Sequence, residues 1–201
     1  MERRQFVRST AAAGVAALSG AMSPSLSAKT LAPTPPDYEG PFYRTEGPHR
    51  TGDLVIGPPR GTVLSWEGRI VTTSGRGISE AVIEIWQADP LGRYRHPADH
   101  SAGERWKDFL YWGQTDTGSN GQFSFRTYVP GAYGGRPAHI HYKVWVPDQR
   151  SPRLTSQLYF ENLGGPGSAA RHRAAYTLQT GVLRKAVPNE AKIDFDVVLN
   201  G

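Results

Sequence analysis

From Thr62 onward the chain alternates short apolar runs with clusters of turn-forming residues. The first run, Val63-Leu64-Ser65-Trp66-Glu67-Gly68-Arg69-Ile70-Val71, predicts a strand closed by a turn at Ser74-Gly75-Arg76-Gly77. The next, Ala81-Val82-Ile83-Glu84-Ile85-Trp86-Gln87, is apolar on both faces, as the central strand of a sandwich should be. Asp116-Thr117-Gly118-Ser119-Asn120-Gly121 reads as a hairpin-type loop leading into a strand at Gln122-Phe123-Ser124-Phe125-Arg126. Two further strands are expected over residues 138–147 and 153–160. A last one, over 193–199, begins with clean apolar–polar alternation. Before this region, residues 29–60 carry prolines at 33, 35, 36, 41, 48, 58 and 59 and are expected to run over the surface without regular structure. One short helix is expected over 166–180. The pattern predicts an all-β protein, a β-sandwich with a long irregular N-terminal segment and little helix. A single domain fills residues 29–201, with no internal repeat.

Composition agrees with that fold class. The 201 residues include 23 glycines and 16 prolines, which interrupt helices, and the length suits one domain with a real core. The chain has no cysteine, so disulfides, zinc–thiolate sites and iron–sulfur clusters are excluded. Residues 1–28 contain Arg3-Arg4-Gln5-Phe6-Val7-Arg8, a weakly apolar stretch, and small residues at Ser25-Leu26-Ser27. This pattern predicts a twin-arginine export signal, hence a periplasmic or secreted protein, and it is too short and small-residue-rich to span a membrane. The formal charge of +5 owes part of its excess to that segment. Without a basic run interleaved with aromatics, neither a nucleic-acid partner nor a membrane partner for the mature form is expected. Oligomeric state is left open.

The chemistry concentrates in Gly131-Ala132-Tyr133-Gly134-Gly135-Arg136-Pro137-Ala138-His139-Ile140-His141. Side chains alternate along a strand, so His139 and His141 project from the same face as a chelating pair. A phenol, Tyr133, lies six residues before the pair and a guanidinium, Arg136, lies between. A second phenol, Tyr94 in Gly92-Arg93-Tyr94-Arg95-His96, follows another strand-like run. Two phenols and two imidazoles without a carboxylate or thiolate suit a hard trivalent ion, and ferric iron is the obvious one. The bland alternatives are concrete. A His-x-His pair can be structural, most tyrosines are core or rim aromatics, and a strand-end arginine usually pairs with a surface carboxylate. His96 is a rival ligand, whereas His49, His100 and His172 sit in loop-like sequence where a surface histidine is the default.

Four blocks resemble the intradiol ring-cleavage dioxygenases: Glu39-Gly40-Pro41-Phe42-Tyr43; Ile85-Trp86-Gln87-Ala88-Asp89 with Gly92-Arg93-Tyr94-Arg95-His96; Arg136-Pro137-Ala138-His139-Ile140-His141; and Gln157-Leu158-Tyr159-Phe160. They occur in family order. The resemblance implies a β-sandwich core with non-haem Fe(III) held by Tyr94, Tyr133, His139 and His141, and with Arg136 and Gln157 beside the substrate. It implies that a catechol-type substrate and O2 give a cis,cis-muconate-type product, with Tyr133 as the displaced phenolate. Two departures stand out. Only Gly134 and Gly135 separate Tyr133 from Arg136, where the well-known catabolic members carry a longer insertion. The long N-terminal helical region of catechol 1,2-dioxygenases is also missing, so the protocatechuate-type core is the nearer match. The short link is expected to open one wall of the pocket, unless the loop over 97–112, with Trp106 and Trp112, refills it.

A free phenol titrates near 10, so binding as phenolate needs a strongly acidic metal. A catechol that binds as a dianion gives up two protons, and the displaced ligands are the natural bases for them. Arg136 would stabilise negative charge developing on the ring. Arg44, Arg95 and Arg153 are candidate partners for a carboxylate-bearing substrate. Two other readings compete: a non-catalytic transthyretin-like β-sandwich binding module, and an extradiol or cupin-type Fe(II) oxygenase. The first gives no reason for four ligand side chains to converge. The second needs a carboxylate at matching spacing to the histidine pair, and the sequence offers none.

Overall fold

The structure of the protein, a computed structural model, describes residues 30–44, 46–161, 163 and 179–200. The expected export signal lies outside these residues, as do His172 and residues 166–178 of the expected helix. At the described end of that helix, Thr180 opens a strand instead. Ten strands are described: β1 Val63–Thr72, β2 Val82–Gln87, β3 Trp112–Asp116, β4 Gln122–Tyr128, β5 His139–Trp145, β6 Leu154–Phe160, β7 Thr180–Gly181, β8 Arg184–Val187, β9 Glu190–Asp194 and β10 Val197–Leu199.

They form the expected sandwich of two mixed sheets, one in the order β3-β2-β5-β6-β7 and the other built around β1, with β4, β8, β9 and β10. Ile83, Ile85, Ile140, Tyr142, Val144, Leu158 and Phe160 of the first sheet pack against Leu64, Trp66, Ile70, Phe123, Phe125 and Ile193 of the second. The Trp66 and Tyr142 rings meet edge to face at 5.7 Å across the layer. Each large apolar side chain buried there contributes roughly 1.5–3 kcal/mol, so this layer dominates stability.

The structure corrects three expectations. The loop after Asp116 is not a hairpin: β3 pairs with β2 and β4 with β1, so the chain crosses from one sheet to the other. The expected strand at 193–199 breaks at Phe195–Asp196, between β9 and β10. There the Phe195 carbonyl turns in toward the Trp66 indole, which donates to it at 3.1 Å, and Asp196 accepts from the Arg69 amide. Gly68 permits this, because a Cβ on it would lie 2.1 Å from the Phe195 oxygen. The third correction concerns residues 30–60. Leu54 is fully buried in the core and the Thr34 amide bonds Val198, so this segment is woven into the sandwich rather than laid over it. The strands β3 and β8 escaped the sequence pattern, β3 because polar residues follow Trp112 and β8 because all four of its residues are exposed.

Candidate metal centre

Strand register sets the site. On β5, Ile140, Tyr142 and Val144 point into the core, so His139, His141 and Lys143 point outward. His141 lies opposite Trp86 of β2 on one side and Gln157 of β6 on the other; His139 lies opposite Tyr159 and Lys143 opposite Glu84. The Trp86 ring stacks on His141 at 5.0 Å with planes 10° apart, which fixes the imidazole plane. The outward face of β2 is therefore Glu84 and Trp86, not a second apolar core face as the sequence pattern suggests.

The two tyrosines come from loops that are tied to each other. Asp89, fully buried, accepts the amides of Leu91 and Arg93 through Oδ1 at 2.9 and 3.1 Å and the Tyr111 hydroxyl through Oδ2 at 3.0 Å. Its own carbonyl accepts both Gly92 and Gly131 amides at 2.9 Å, so the Tyr94 loop and the Tyr133 loop share one anchor. At Gly92, φ is +76° and a Cβ would sit 2.2 Å from the Ala132 oxygen, so only glycine allows this approach. The Tyr94 backbone is held further by Asp99, which accepts its amide, and by Arg105 Nε, which donates to its carbonyl at 2.8 Å. Sequence reading gave Asp89, Asp99 and Arg105 no role, although Asp89 ends the Ile85-Trp86-Gln87-Ala88-Asp89 run in one of the four blocks.

Tyr133 and Arg136 bracket a tight two-residue turn. The Arg136 amide donates to the Tyr133 carbonyl at 2.7 Å and the Tyr133 amide to the Arg136 carbonyl at 3.2 Å. Gly134 and Gly135 have φ of +52° and +74°, the positive pair that this kind of hairpin turn requires. A Cβ on either glycine would touch nothing within 4 Å, so the turn stands clear of the described chain.

The four expected ligand atoms converge. Tyr94 Oη lies 3.5 Å from Tyr133 Oη, Tyr133 Oη lies 3.3 Å from His139 Nε2, and His139 Nε2 lies 3.0 Å from His141 Nε2. His139 Nδ1 donates to the Pro137 carbonyl at 2.7 Å, which leaves its Nε2 lone pair facing the cluster. Burial lowers the His139 pKa to about 4 and that of His141 well below its usual value; the Arg136 charge acts in the same direction. Both rings are thus neutral donors at ordinary pH. Burial likewise raises both phenols, Tyr94 the more, while Arg136 pulls them back. Two neutral imidazole nitrogens aimed at each other beside two phenol oxygens form an arrangement that a strongly polarising cation relieves. The donor set fits a hard trivalent ion. Among the described residues no group of three His, Cys, Asp or Glu side chains could hold a metal, so a site here must use the tyrosines.

Residues 37–43 cross over this face as a strap. Phe42 stacks on Tyr94 at 4.4 Å and meets Tyr133 edge-on at 5.8 Å. Gly40 passes so close to His141 that a Cβ would lie 3.1 Å from its Cε1. Below Tyr43, the buried Glu84 accepts the Trp112 indole at 2.6 Å, and burial raises its carboxyl pKa. Lys143 Nζ pairs with Glu39 at 2.6 Å and sits 3.3 Å from the Tyr43 ring centre. These roles for Phe42, Tyr43, Glu84 and Lys143 were not legible in the sequence.

Arg136 forms no ion pair among the described residues. It donates from Nη2 to Gln157 Oε1 at 2.6 Å and to the Tyr159 hydroxyl at 3.2 Å, both neutral acceptors. Its charge is therefore undiminished, against the surface-pairing alternative. Gln157 is held by Tyr38, whose carbonyl accepts Nε2 at 2.6 Å. The rival ligand His96 does not join the chain of contacts among the four clustered side chains: its ring meets Phe42 edge-on at 5.7 Å, and its Nδ1 accepts the Ala98 amide at 3.0 Å. His49 and His100 are exposed. Arg44 pairs with Glu46, Arg95 lies over the Tyr111 ring and Arg153 donates to the Asn200 carbonyl. Trp106 packs on Tyr128 and Trp112 on Tyr43, so neither indole refills the space beside the two-glycine turn.

Comparison with known proteins follows the same lines. The family model Dioxygenase_C, described as dioxygenase, matches residues 38–201. The protocatechuate 3,4-dioxygenase beta chain of Burkholderia cepacia is 31% identical over 163 residues, covering 72% of this chain and 67% of the relative. Catechol 1,2-dioxygenase 2 of Acinetobacter lwoffii is 31% identical over 145 residues, and the match spans only 50% of that longer protein. Among solved structures, the dioxygenase domain of a dioxygenase–carbohydrate-binding protein fusion from the cellulolytic Streptomyces sp. SirexAA-E aligns over 84% of this chain and 99% of its own, with a TM-score of 0.67 and 29% identity. An intradiol ring-cleavage dioxygenase of Tetranychus urticae, at 20% identity and the same TM-score of 0.67, shares the fold. With the matched model, the converging phenols and imidazoles and the sandwich that carries them, the chain belongs to the intradiol ring-cleavage dioxygenase family.

Proposed function

We propose that the protein cleaves a catechol-type ring between its two hydroxyl-bearing carbons with O2, using non-haem Fe(III), to give a cis,cis-muconate-type acid. One observation carries the reading: two phenol oxygens and two imidazole nitrogens lie in a chain of contacts of 3.0 to 3.5 Å on one sheet face. Bound there, Fe(III) would make phenolates of the tyrosines and draw a catechol in as its dianion, with a ring rich enough in electrons to react with O2.

The chain's own residues supply the rest. Tyr133, less buried than Tyr94 and carried on a turn with two glycines, is the phenolate free to swing aside and take a substrate proton on Oη. Arg136, which forms no ion pair among the described residues, would direct its positive charge at the reacting ring, where negative charge develops. Phe42 and Trp86 cover Tyr94 and His141 and keep water off them. The iron-loaded protein is expected to be burgundy to brown from phenolate-to-Fe(III) charge transfer. Tyr94→Phe or Tyr133→Phe should weaken and shift that band, and an unchanged spectrum in both overturns the ligand assignment. O2 uptake and product identity with a panel of catechols test the reaction itself. A colourless, iron-free protein with no turnover would return the transthyretin-like alternative.

The open two-glycine turn supports catechols with bulky ring substituents, such as plant phenolic fragments, and the likeness to a domain from a cellulolytic bacterium is in keeping with this. A steep kcat/KM preference for unsubstituted catechol or protocatechuate over a 4-substituted catechol with a large group would rule it out. Export through the twin-arginine pathway is proposed from residues 1–28. Retention in the cytoplasm of cells with that machinery intact would exclude it.

A further inference from the structure

The orientation of Arg136 depends on a chain of contacts that leaves the site and ends on the strap. Arg136 Nη2 has two acceptors, Gln157 Oε1 at 2.6 Å and Tyr159 Oη at 3.2 Å. The Gln157 amide is oriented by its Nε2 bond to the Tyr38 carbonyl, so its oxygen must face the guanidinium. Tyr159 Oη lies 3.0 Å from Asp37 Oδ2 and 2.7 Å from Gln157 Oε1, yet it has one proton to give. The carboxylate is the stronger acceptor, and Gln157 Oε1 already receives the guanidinium. With the proton directed to Asp37, a lone pair of Tyr159 is left for Arg136. Asp37 is itself fixed: its amide donates to the Thr155 carbonyl at 2.9 Å, and Gln179 Nε2 donates to its Oδ2 at 3.3 Å.

We propose that Asp37, acting through the Tyr159 hydroxyl, is a positioning residue that sets the direction of the Arg136 guanidinium. The arrangement places the balancing carboxylate one hydroxyl away from the arginine instead of in contact with it. A direct Asp–Arg pair would hold the guanidinium equally well but would cancel the charge the site uses. The inference rests on Arg136 acting on the substrate as proposed above, and it ties turnover to the seating of the strap, since Asp37 immediately precedes Tyr38, Glu39 and Gly40.

The test combines a mutant cycle with a measurement that needs no turnover. Tyr159→Phe, which keeps the ring, and Asp37→Ala are each expected to lower kcat on the order of 10-fold. Thermal midpoint and iron content should stay near wild type. In an Arg136→Ala background neither substitution should lower kcat further, because the group they position is gone. In the metal-free 15N-labelled protein, the Arg136 Nε–Hε order parameter should fall from a rigid value to below about 0.6 in Tyr159→Phe. Additive losses in the Arg136→Ala background, or wild-type kcat in both single variants, overturn the proposal. So does an unchanged order parameter. If the wild-type protein turns over no catechol, the functional reading fails, and the order parameter alone decides the positioning role.

Discussion

Strands β2, β5 and β6 present two faces that are both buried, and the two were made for different ends. On the inner face Ile83, Ile85, Ile140, Tyr142, Val144 and Leu158 meet the apolar face of the other sheet. One residue along on the same strands, Glu84, Trp86, His139, His141, Lys143, Gln157 and Tyr159 are buried as well. These are covered by the strap and by loops rather than by a sheet. The inner face gains free energy from every residue it removes from water. The outer face costs free energy unless each polar group finds a partner. Lys143 finds Glu39, Glu84 finds Trp112, and Gln157 finds Tyr38 and Arg136. His139 Nδ1 finds the Pro137 carbonyl, but the two Nε2 atoms face only each other and the Tyr133 hydroxyl, and that shortfall is what a metal ion would relieve. The polar outer face is tolerated because the inner face is mostly apolar, its polar members Gln87 and Ser156 each hydrogen-bonded to a backbone carbonyl.

Adjacent residues on β5 break this comparison most sharply. His141→Ala should abolish stable iron binding while changing the urea midpoint of the metal-free protein little. Ile140→Ala should do the reverse, costing about 2–5 kcal/mol of unfolding free energy while the folded fraction still binds iron. Iron retained through dialysis in His141→Ala, or a metal-free midpoint that falls as far as in Ile140→Ala, would erase the distinction between the faces. Arg136→Ala comes next: colour and iron are kept, and kcat falls on the order of 10²-fold, as when a single transition-state charge stabiliser is lost. Near wild-type turnover would return Arg136 to a structural role.

A smaller effect tests the turn that carries Tyr133. Gly134→Asn should be nearly neutral, since asparagine tolerates positive φ, whereas Gly134→Val should cost on the order of 1 kcal/mol and blur the iron spectrum. Equal behaviour of the two variants would argue against the turn geometry.

The smallest expected effect concerns Glu84 and is a matter of sign. Burial raises its folded pKa above the unfolded value of 4.5. The folded state therefore binds the proton more tightly, and wild type loses stability relative to Glu84→Gln as pH rises from about 4.5 through the folded value. Below 4.5 the two should run parallel. Urea titrations of both proteins across that range measure the difference, and a wild type that gains on the variant with rising pH contradicts the assignment.

His139 and His141 illustrate what the sequence determined alone. A strand has a period of two, so an i, i+2 pair shares a face whatever the rest of the chain does. The two-glycine link likewise dictates a tight turn between Tyr133 and Arg136, and the apolar runs dictate a sandwich. Local geometry is enough for each of these. It is not enough for Asp89, whose importance comes from a carbonyl that holds two distant glycines at once. Nor does it reach the strap, because Tyr43 meets β2 and Asp37 meets β6 only after the chain has closed through contacts 41 and 122 residues apart, and Phe42 meets the tyrosine loops in the same way. The burial of Glu84 and Lys143 belongs to the same class: a charged residue on a strand reads as solvent-facing until something covers it. Sequence set which side chains share a face, since that depends on backbone period. Tertiary structure decided what covers that face and how its charges are balanced, since those depend on partners that local periodicity does not contain.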